Sequence, residues 1–253
     1  MLTSFSKALN HPLLQSTQCV FCLQCKNTRQ ACCSSCYAIL RGQHGERCQT
    51  CYLPLAEPGI CGECQTEPPH FDQVICLNDY QWPLEPVIKA YKYGKQQYLA
   101  KPLSRLLLNH AKQQSSGLPE AFLPVPLHWL KKWRRGFNQS ELLASSVAKQ
   151  LNKPMCTPLV RKHYGISQAS LNRQQRQHAL AASFSLKNKI QFKHWVLVDD
   201  VVTTGSTANV IAKMLKQAGA EQVDVWAIAR TDKPKHKKSP ASNTSRAHKK
   251  AVQ

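Results

Sequence analysis

From about residue 70 onward the apolar positions fall into alternating strand-like and helix-like stretches. Residues 70–80, HFDQVICLNDY, are an apolar run of strand length, and residues 121–127, AFLPVPL, form a shorter one. Residues 83–114 read as largely helical, with interruptions signalled near Gly94 and Pro102. In residues 138–152, Leu142, Leu143, Val147 and Leu151 share one helical face. Residues 194–202, HWVLVDDVV, show no period-two alternation, which predicts a strand buried on both faces. Residues 207–220 predict an amphipathic helix lined by Val210, Ile211, Met214, Leu215 and Ala218, with Gly219 suited to its stop. Residues 221–230, EQVDVWAIAR, are another strand. Strand, helix, strand in this order predicts a parallel βαβ unit and an α/β fold.

Before residue 70 this rhythm disappears. Ten of the twelve cysteines fall between Cys19 and Cys64, in a stretch with too few aliphatic residues to bury a core of its own. The 253 residues therefore divide into an extension over 1–18, a cysteine-rich module over 19–68 and an α/β domain over 71–230. The remainder, 231–253, is polar and basic with two prolines and is expected to be disordered.

Charge and cysteine usage narrow the setting. Lys and Arg number 34 against 14 Asp and Glu, a net charge of +20. That excess suits polyanionic company, nucleic acid, phosphorylated ligands or an anionic membrane surface, or else a solvated basic surface. The first residues contain one Lys and no continuous apolar core, and no later run is long enough to span a bilayer. The expectation is a cytoplasmic protein with no membrane insertion, in which cysteines act as ligands or buried thiols rather than disulfides.

Four Cys-x-x-Cys pairs can be drawn: Cys19/Cys22, Cys33/Cys36, Cys48/Cys51 and Cys61/Cys64. Two intervening residues let both thiolates face one tetrahedral ion, and two such knuckles complete a four-cysteine zinc site. Eight ligands predict two structural Zn²⁺ ions with no open coordination position. The competing reading is a cluster of reduced or redox-active thiols. Spacing leaves several choices open. Cys22 can pair with Cys19 or Cys25, Cys32 is spare, the knuckles can combine sequentially or interleave, and His44 can substitute as a ligand. Cys76 and Cys156 stand in apolar company and read as inert buried thiols.

Within the strand at 194–202 two adjacent carboxylates, Asp199 and Asp200, interrupt the apolar run, and Thr203, Thr204, Gly205, Ser206 and Thr207 follow. Ligands of open parallel sheets bind beyond the carboxyl ends of strands. There, unsatisfied amides at a helix start, the helix dipole and small hydroxyls cradle a phosphate, while the acids accept hydrogen bonds from ligand hydroxyls. The stretch therefore predicts a sugar-phosphate site. The plainer alternative, a buried strand with Ser206 or Thr207 capping the next helix, explains the hydroxyls but not the paired acids. An ATP-hydrolysing P-loop is disfavoured because no G-x-x-x-x-G-K-[ST] occurs.

VLVDDVVTTGST resembles the phosphoribosyl pyrophosphate motif of the type I phosphoribosyltransferases. That resemblance implies a Rossmann-like parallel sheet with flanking helices, and a ligand site over Val198, Asp199, Asp200, Val201, Val202, Thr203, Thr204, Gly205, Ser206 and Thr207. By it, Asp199 and Asp200 hold the ribose hydroxyls, residues 203–207 wrap the 5-phosphate, and Mg²⁺ arrives mostly on the ligand's pyrophosphate. LPVPLHWLKKWRRGFNQSELLA resembles the ComF/GntX family's V-P-V-P-l…R-G-F-N-Q motif. It places a pyrophosphate loop at Arg134, Arg135 and Gly136, with Phe137 as a packing residue. RKHYGISQASLNRQQRQHALAASF resembles that family's mobile loop through Arg161, Ser167, Gln168, Leu171, Arg176 and Phe184. The family's Asn is replaced here by Ala179. A zinc-ribbon head also fits the family, and the resemblance covers about residues 19–230.

Two functions of different class follow from the resemblance. As an enzyme, the chain would displace pyrophosphate from the ribose anomeric carbon with a nitrogen nucleophile of unidentified type. Asp199, Asp200, Arg161 and Arg176 would serve as catalytic residues, with Arg173 beside Arg161 and Arg176 on the lid. As a binding protein, it would handle single-stranded DNA in competence, with phosphoribosyl pyrophosphate as a regulator and competence or DNA-processing proteins as partners. Trp129 and Trp133, four apart beside Lys131, Lys132 and Arg134, would then stack bases; packing of both on the core is the alternative.

Overall fold

The apolar runs pair side by side as parallel strands. The computed structural model describes residues 18–25, 32–42, 45–115, 117–127, 133, 136–161, 179–187 and 189–231. In chain order the elements are α1 (Ser34–Gly42), α2 (Gly62–Thr66), β1 (Gln73–Asp79), α3 (Leu84–Tyr93), α4 (Ala100–Gln114), β2 (Ala121–Pro124) and α5 (Gln139–Leu151). They continue with β3 (Leu159–Arg161), β4 (Phe184–Leu186), β5 (His194–Val202), α6 (Ser206–Gln217) and β6 (Gln222–Arg230). A four-stranded parallel sheet runs in the order β1-β6-β5-β2, and β3 pairs antiparallel with β4. Among the described residues no helix is long and apolar enough to cross a membrane.

Both faces of the sheet are covered, as the missing alternation in β5 requires. Val196 and Val198 of β5 join Ile75, Phe122, Trp226 and Ile228 under α3, α4 and α5. Trp195 and Leu197 face the other way, with Val74, Leu123 and Val225, under Ile211 and Leu215 of α6. The β5–α6–β6 unit is parallel, as strand–helix–strand order predicts.

Three local details differ from the sequence reading. The break after α3 falls at Gly94, but Pro102 lies inside the first turn of α4, where its missing N–H has no acceptor to lose. Ala218 is exposed rather than on the buried face of α6. The pair β3 and β4, three residues each, was not foreseen.

The cysteine-rich residues pack against the sheet edge. The Thr50 carbonyl accepts the Val74 amide of β1 at 2.8 Å, the Asn78 side chain donates to the Leu40 carbonyl at 2.8 Å, and Arg47 grips Asp79 through two 2.8 Å hydrogen bonds. At the opposite edge, the segment around Met155 runs beside Phe122 of β2, with Phe122 donating to Pro154 and Cys156 donating to Phe122. Each exposed row of strand amides and carbonyls thus has a cover.

Candidate functional site

The paired acids lie at the carboxyl end of β5, a central strand, where α3 and α5 converge. Tyr91 Oη of α3 donates to the Gln139 carbonyl of α5 at 2.7 Å, and Gln139 Nε2 donates back to the Lys92 carbonyl at 3.3 Å. Asn138 caps α5 by accepting the Ser140 amide at 3.2 Å, in keeping with its side chain's fit for that role. The cap orients Ser140, whose Oγ donates to Asp199 Oδ1 at 2.9 Å. The last turn of α3 brings Lys92 Nζ to 2.9 Å from Asp200 Oδ1, with both side chains largely buried.

The two acids therefore have separate partners from one helical layer. Burial and the adjacent Asp200 push the Asp199 carboxyl up to about 7, against the pull of the Ser140 hydroxyl, the Asp200 amide and Lys92. A carboxyl poised near neutrality, next to one paired with an ammonium, suits the capture of ligand hydroxyls.

After Val202 the chain turns through Thr203 and Thr204 into α6. Gly205 occupies the cap position with φ +76°, a left-handed conformation that a side chain would strain. Neither Ser206 nor Thr207 is the cap; both lie inside the first turn. The Thr204 hydroxyl sits 2.8 Å from that of Ser206 and accepts the Ser206 amide at 3.3 Å. With the Ser206 amide taken by Thr204, helix geometry leaves the amides of Thr207 and Ala208 without an acceptor within α6, so they and the dipole face outward from the loop.

The other predicted residues are distributed as follows. Gly136 (φ +81°) precedes the start of α5, and Phe137 is buried against Tyr91 with ring centroids 5.8 Å apart, a packing role as expected. Arg161 ends β3, with its side chain outside the described residues. Arg134, Arg135, Arg173 and Arg176 lie outside the described residues altogether, as do Trp129, Lys131, Lys132, Ser167, Gln168, Leu171 and His44. Trp133 is 79% exposed, which removes it from the core.

The eight cysteines gather into two clusters, Cys19, Cys22, Cys33, Cys36 and Cys48, Cys51, Cys61, Cys64, with the sulfurs of each within 4.8 Å of one another. The knuckles thus combine sequentially. The Cys22–Cys33 and Cys51–Cys61 sulfur separations of 3.9 and 3.6 Å match the edge of about 3.8 Å expected for a tetrahedron of thiolates at Zn–S distances of about 2.3 Å. Burial works against ionising Cys48, yet the amides of Cys61 and Cys51 donating to its sulfur outweigh it and bring the thiol down to about 7. The donor sets fit Zn²⁺. Cys25 is exposed and outside the clusters, and Cys32 is buried with its Sγ donating to the Cys33 carbonyl at 3.4 Å. Cys76 is fully buried, its thiol pushed up to about 12 by burial; Cys156 is half-buried and raised in the same way.

Two participants escaped the sequence reading. Lys92 carried no signal, since its partner lies in a distant segment. Arg230 carried one: a charge closing the apolar strand VDVWAIA at its carboxyl end, aligned with Val202 of β5.

Comparison with known proteins adds the following. Residues 138–251 match the phosphoribosyl transferase domain family. The chain is 36% identical over 178 residues to competence protein F of Haemophilus influenzae, covering 67% of this chain and 78% of that one. It is 38% identical over 190 residues to DNA utilization protein YhgH of Escherichia coli K12, covering 73% and 84% respectively. Among solved structures it is similar to glutamine phosphoribosylpyrophosphate amidotransferase from B. subtilis, at 20% identity and a TM-score of 0.37, covering 51% of this chain and 26% of that one.

Proposed function

The chain belongs to the ComF/YhgH family of competence and DNA-utilisation proteins and carries a phosphoribosyl transferase domain, and from that premise we propose that it binds phosphoribosyl pyrophosphate with Mg²⁺ at the end of β5. One observation carries this reading. Two carboxylates with separate partners stand at a central strand's carboxyl end, and the chain passes directly from them into a left-handed glycine and an outward-facing helix start. Asp199 and Asp200 take the ribose hydroxyls, and residues 203–207 take the 5-phosphate. Gly136 and the neighbouring Arg134 and Arg135 take the pyrophosphate. Mg²⁺, when bound with the ligand, would supply further positive charge against the departing pyrophosphate.

In this reading the reaction is transfer of the ribosyl group to a nitrogen nucleophile. Arg161 and Arg176 lend positive charge to the leaving group, and the acids steady the ribose ring. The two cysteine clusters hold Zn²⁺ as structural ions. A second reading, single-stranded DNA binding with phosphoribosyl pyrophosphate as a regulator, is favoured by the exposure of Trp133 in a basic segment and by the names of the relatives.

Calorimetric titration with phosphoribosyl pyrophosphate and Mg²⁺ tests the proposal. Binding is expected, and replacing both acids by Asn (D199N/D200N) should abolish it with zinc content unchanged. Retained affinity in that variant sinks the assignment. Pyrophosphate release that depends on an added nucleobase supports transfer. Binding without turnover, together with single-strand affinity that falls steeply between low and high salt, supports the second reading.

A further inference from the structure

Between the second cysteine cluster and the start of α6 lies a cavity of about 380 Å³. Cys51 and Cys64 line one side, Gly205, Ser206 and Lys213 another, and Arg230 at the end of β6 closes it. Arg230 is 2% exposed, and its Nε and Nη1 are buried without a hydrogen-bond partner. A guanidinium cannot shed its charge; the second cysteine cluster, Cys51 included, offsets part of it, but the unmatched N–H donors still call for acceptor oxygens beside them. The surroundings reinforce that demand. Lys213 of α6 and His70 line the same cavity; burial first, then Lys213 and Lys216, hold the His70 imidazole below its usual range. Glu63 and Glu67 line the module side, which confines an anion to the α6 and β6 side.

We propose that Arg230 is the fixed cation of the phosphate cradle at the start of α6, and that the second cysteine module is a wall of that cradle, coupling its metal loading to phosphate binding. The ligand class is a phosphate monoester, taken up by the outward amides of α6 and by the unmatched N–H groups of Arg230. This rests on the reading of residues 203–207 as a phosphate loop and extends it to two parts of the chain that loop does not contain. Coupling is reciprocal: Arg230 lines the cavity together with Cys51, so if the loaded module sets Arg230 for the phosphate, the phosphate must equally favour the loaded module. The first cluster, on the opposite face of the sheet, has no part in the cavity and serves as an internal control.

The test uses the full, zinc-loaded chain with ribose 5-phosphate and inorganic phosphate as probes. Ribose 5-phosphate should slow chelator extraction of one of the two zinc ions several-fold and leave the other unchanged. Arg230→Gln should weaken ribose 5-phosphate binding at least ten-fold and remove that protection. Lys213→Glu, an exposed change on α6, should weaken binding about five-fold with zinc content intact. Extraction of both ions unaffected by ligand overturns the coupling, and this readout needs no variant. R230Q binding ribose 5-phosphate as the native chain does overturns the role of Arg230. If R230Q does not fold, unchanged affinity in K213E overturns the site. A native chain that binds neither phosphoribosyl pyrophosphate nor ribose 5-phosphate instead removes the phosphate reading of the loop itself.

Discussion

Asp199 shows how a single side chain can be set by its surroundings. Its carboxyl is raised from an ordinary value of 3.8 to about 7, first by burial and then by Asp200. A carboxyl whose folded pKa is raised adds stability that is complete below its unfolded pKa and is lost as pH climbs through about 7. Thermal melts of the ligand-free chain should therefore show stability falling between about pH 4 and pH 7 and levelling off above that. Asp199→Asn, uncharged throughout, should flatten that fall and exceed the native chain by roughly 1–3 kcal/mol at pH 8. The acids themselves were legible in the sequence because two charges inside an apolar strand have no packing role. Their partners Ser140 and Lys92 were not, because each reaches the acids from a different helix through tertiary contacts that no local pattern encodes.

At the scale of elements, the long periodic segments were readable and the short ones were not. β5 and β6 are nine residues each and α5 thirteen, enough for a pattern to repeat. β3 and β4, at three residues, are too short for any period to show. The start of α6 was misplaced by one residue or two because Gly205 takes the cap position through its backbone conformation, with no side chain to advertise it. The start of α5 is a firmer case. Asn138 caps it and in so doing aims Ser140 at Asp199. Asn138→Ala should cost about 1 kcal/mol of stability by denaturant titration. By loosening Ser140 it should also move the Asp199 pH step upward, since that hydroxyl pulls the carboxyl down.

Over the whole molecule, the cysteine module is part of both cores rather than an appendage. Cys19 and Cys36 belong to the cluster that contains α3, α4 and α5; Cys48 and Cys64 belong to the one beneath α6. Stripping zinc with a chelator should therefore lower the thermal midpoint of the entire chain by at least roughly 10 °C, given that about 1 kcal/mol moves a domain of this size by 2–4 °C. Trp195 and Trp226 lie in different cores, so fluorescence that reports both should still show one transition. Two separated transitions would mean that the module and the sheet unfold independently. Composition revealed the clusters, because cysteine pairs at knuckle spacing are locally encoded. Their division between two faces depends on the course of β1 along the sheet edge, which spacing cannot specify.

The strand order β1-β6-β5-β2 also fixes a timetable. During synthesis the outer strands emerge first and the two inner ones last. β1 waits for residues 222–230 and β2 for residues 194–202 before either finds a sheet partner. Until then the cysteine knuckles and the helices can close by local contacts, and β1 leaves the ribosome with Thr50 and its neighbours to shield its edge. A chain halted short of β5 would carry two unpaired apolar strands, which is the form in which a polypeptide draws chaperones and proteases.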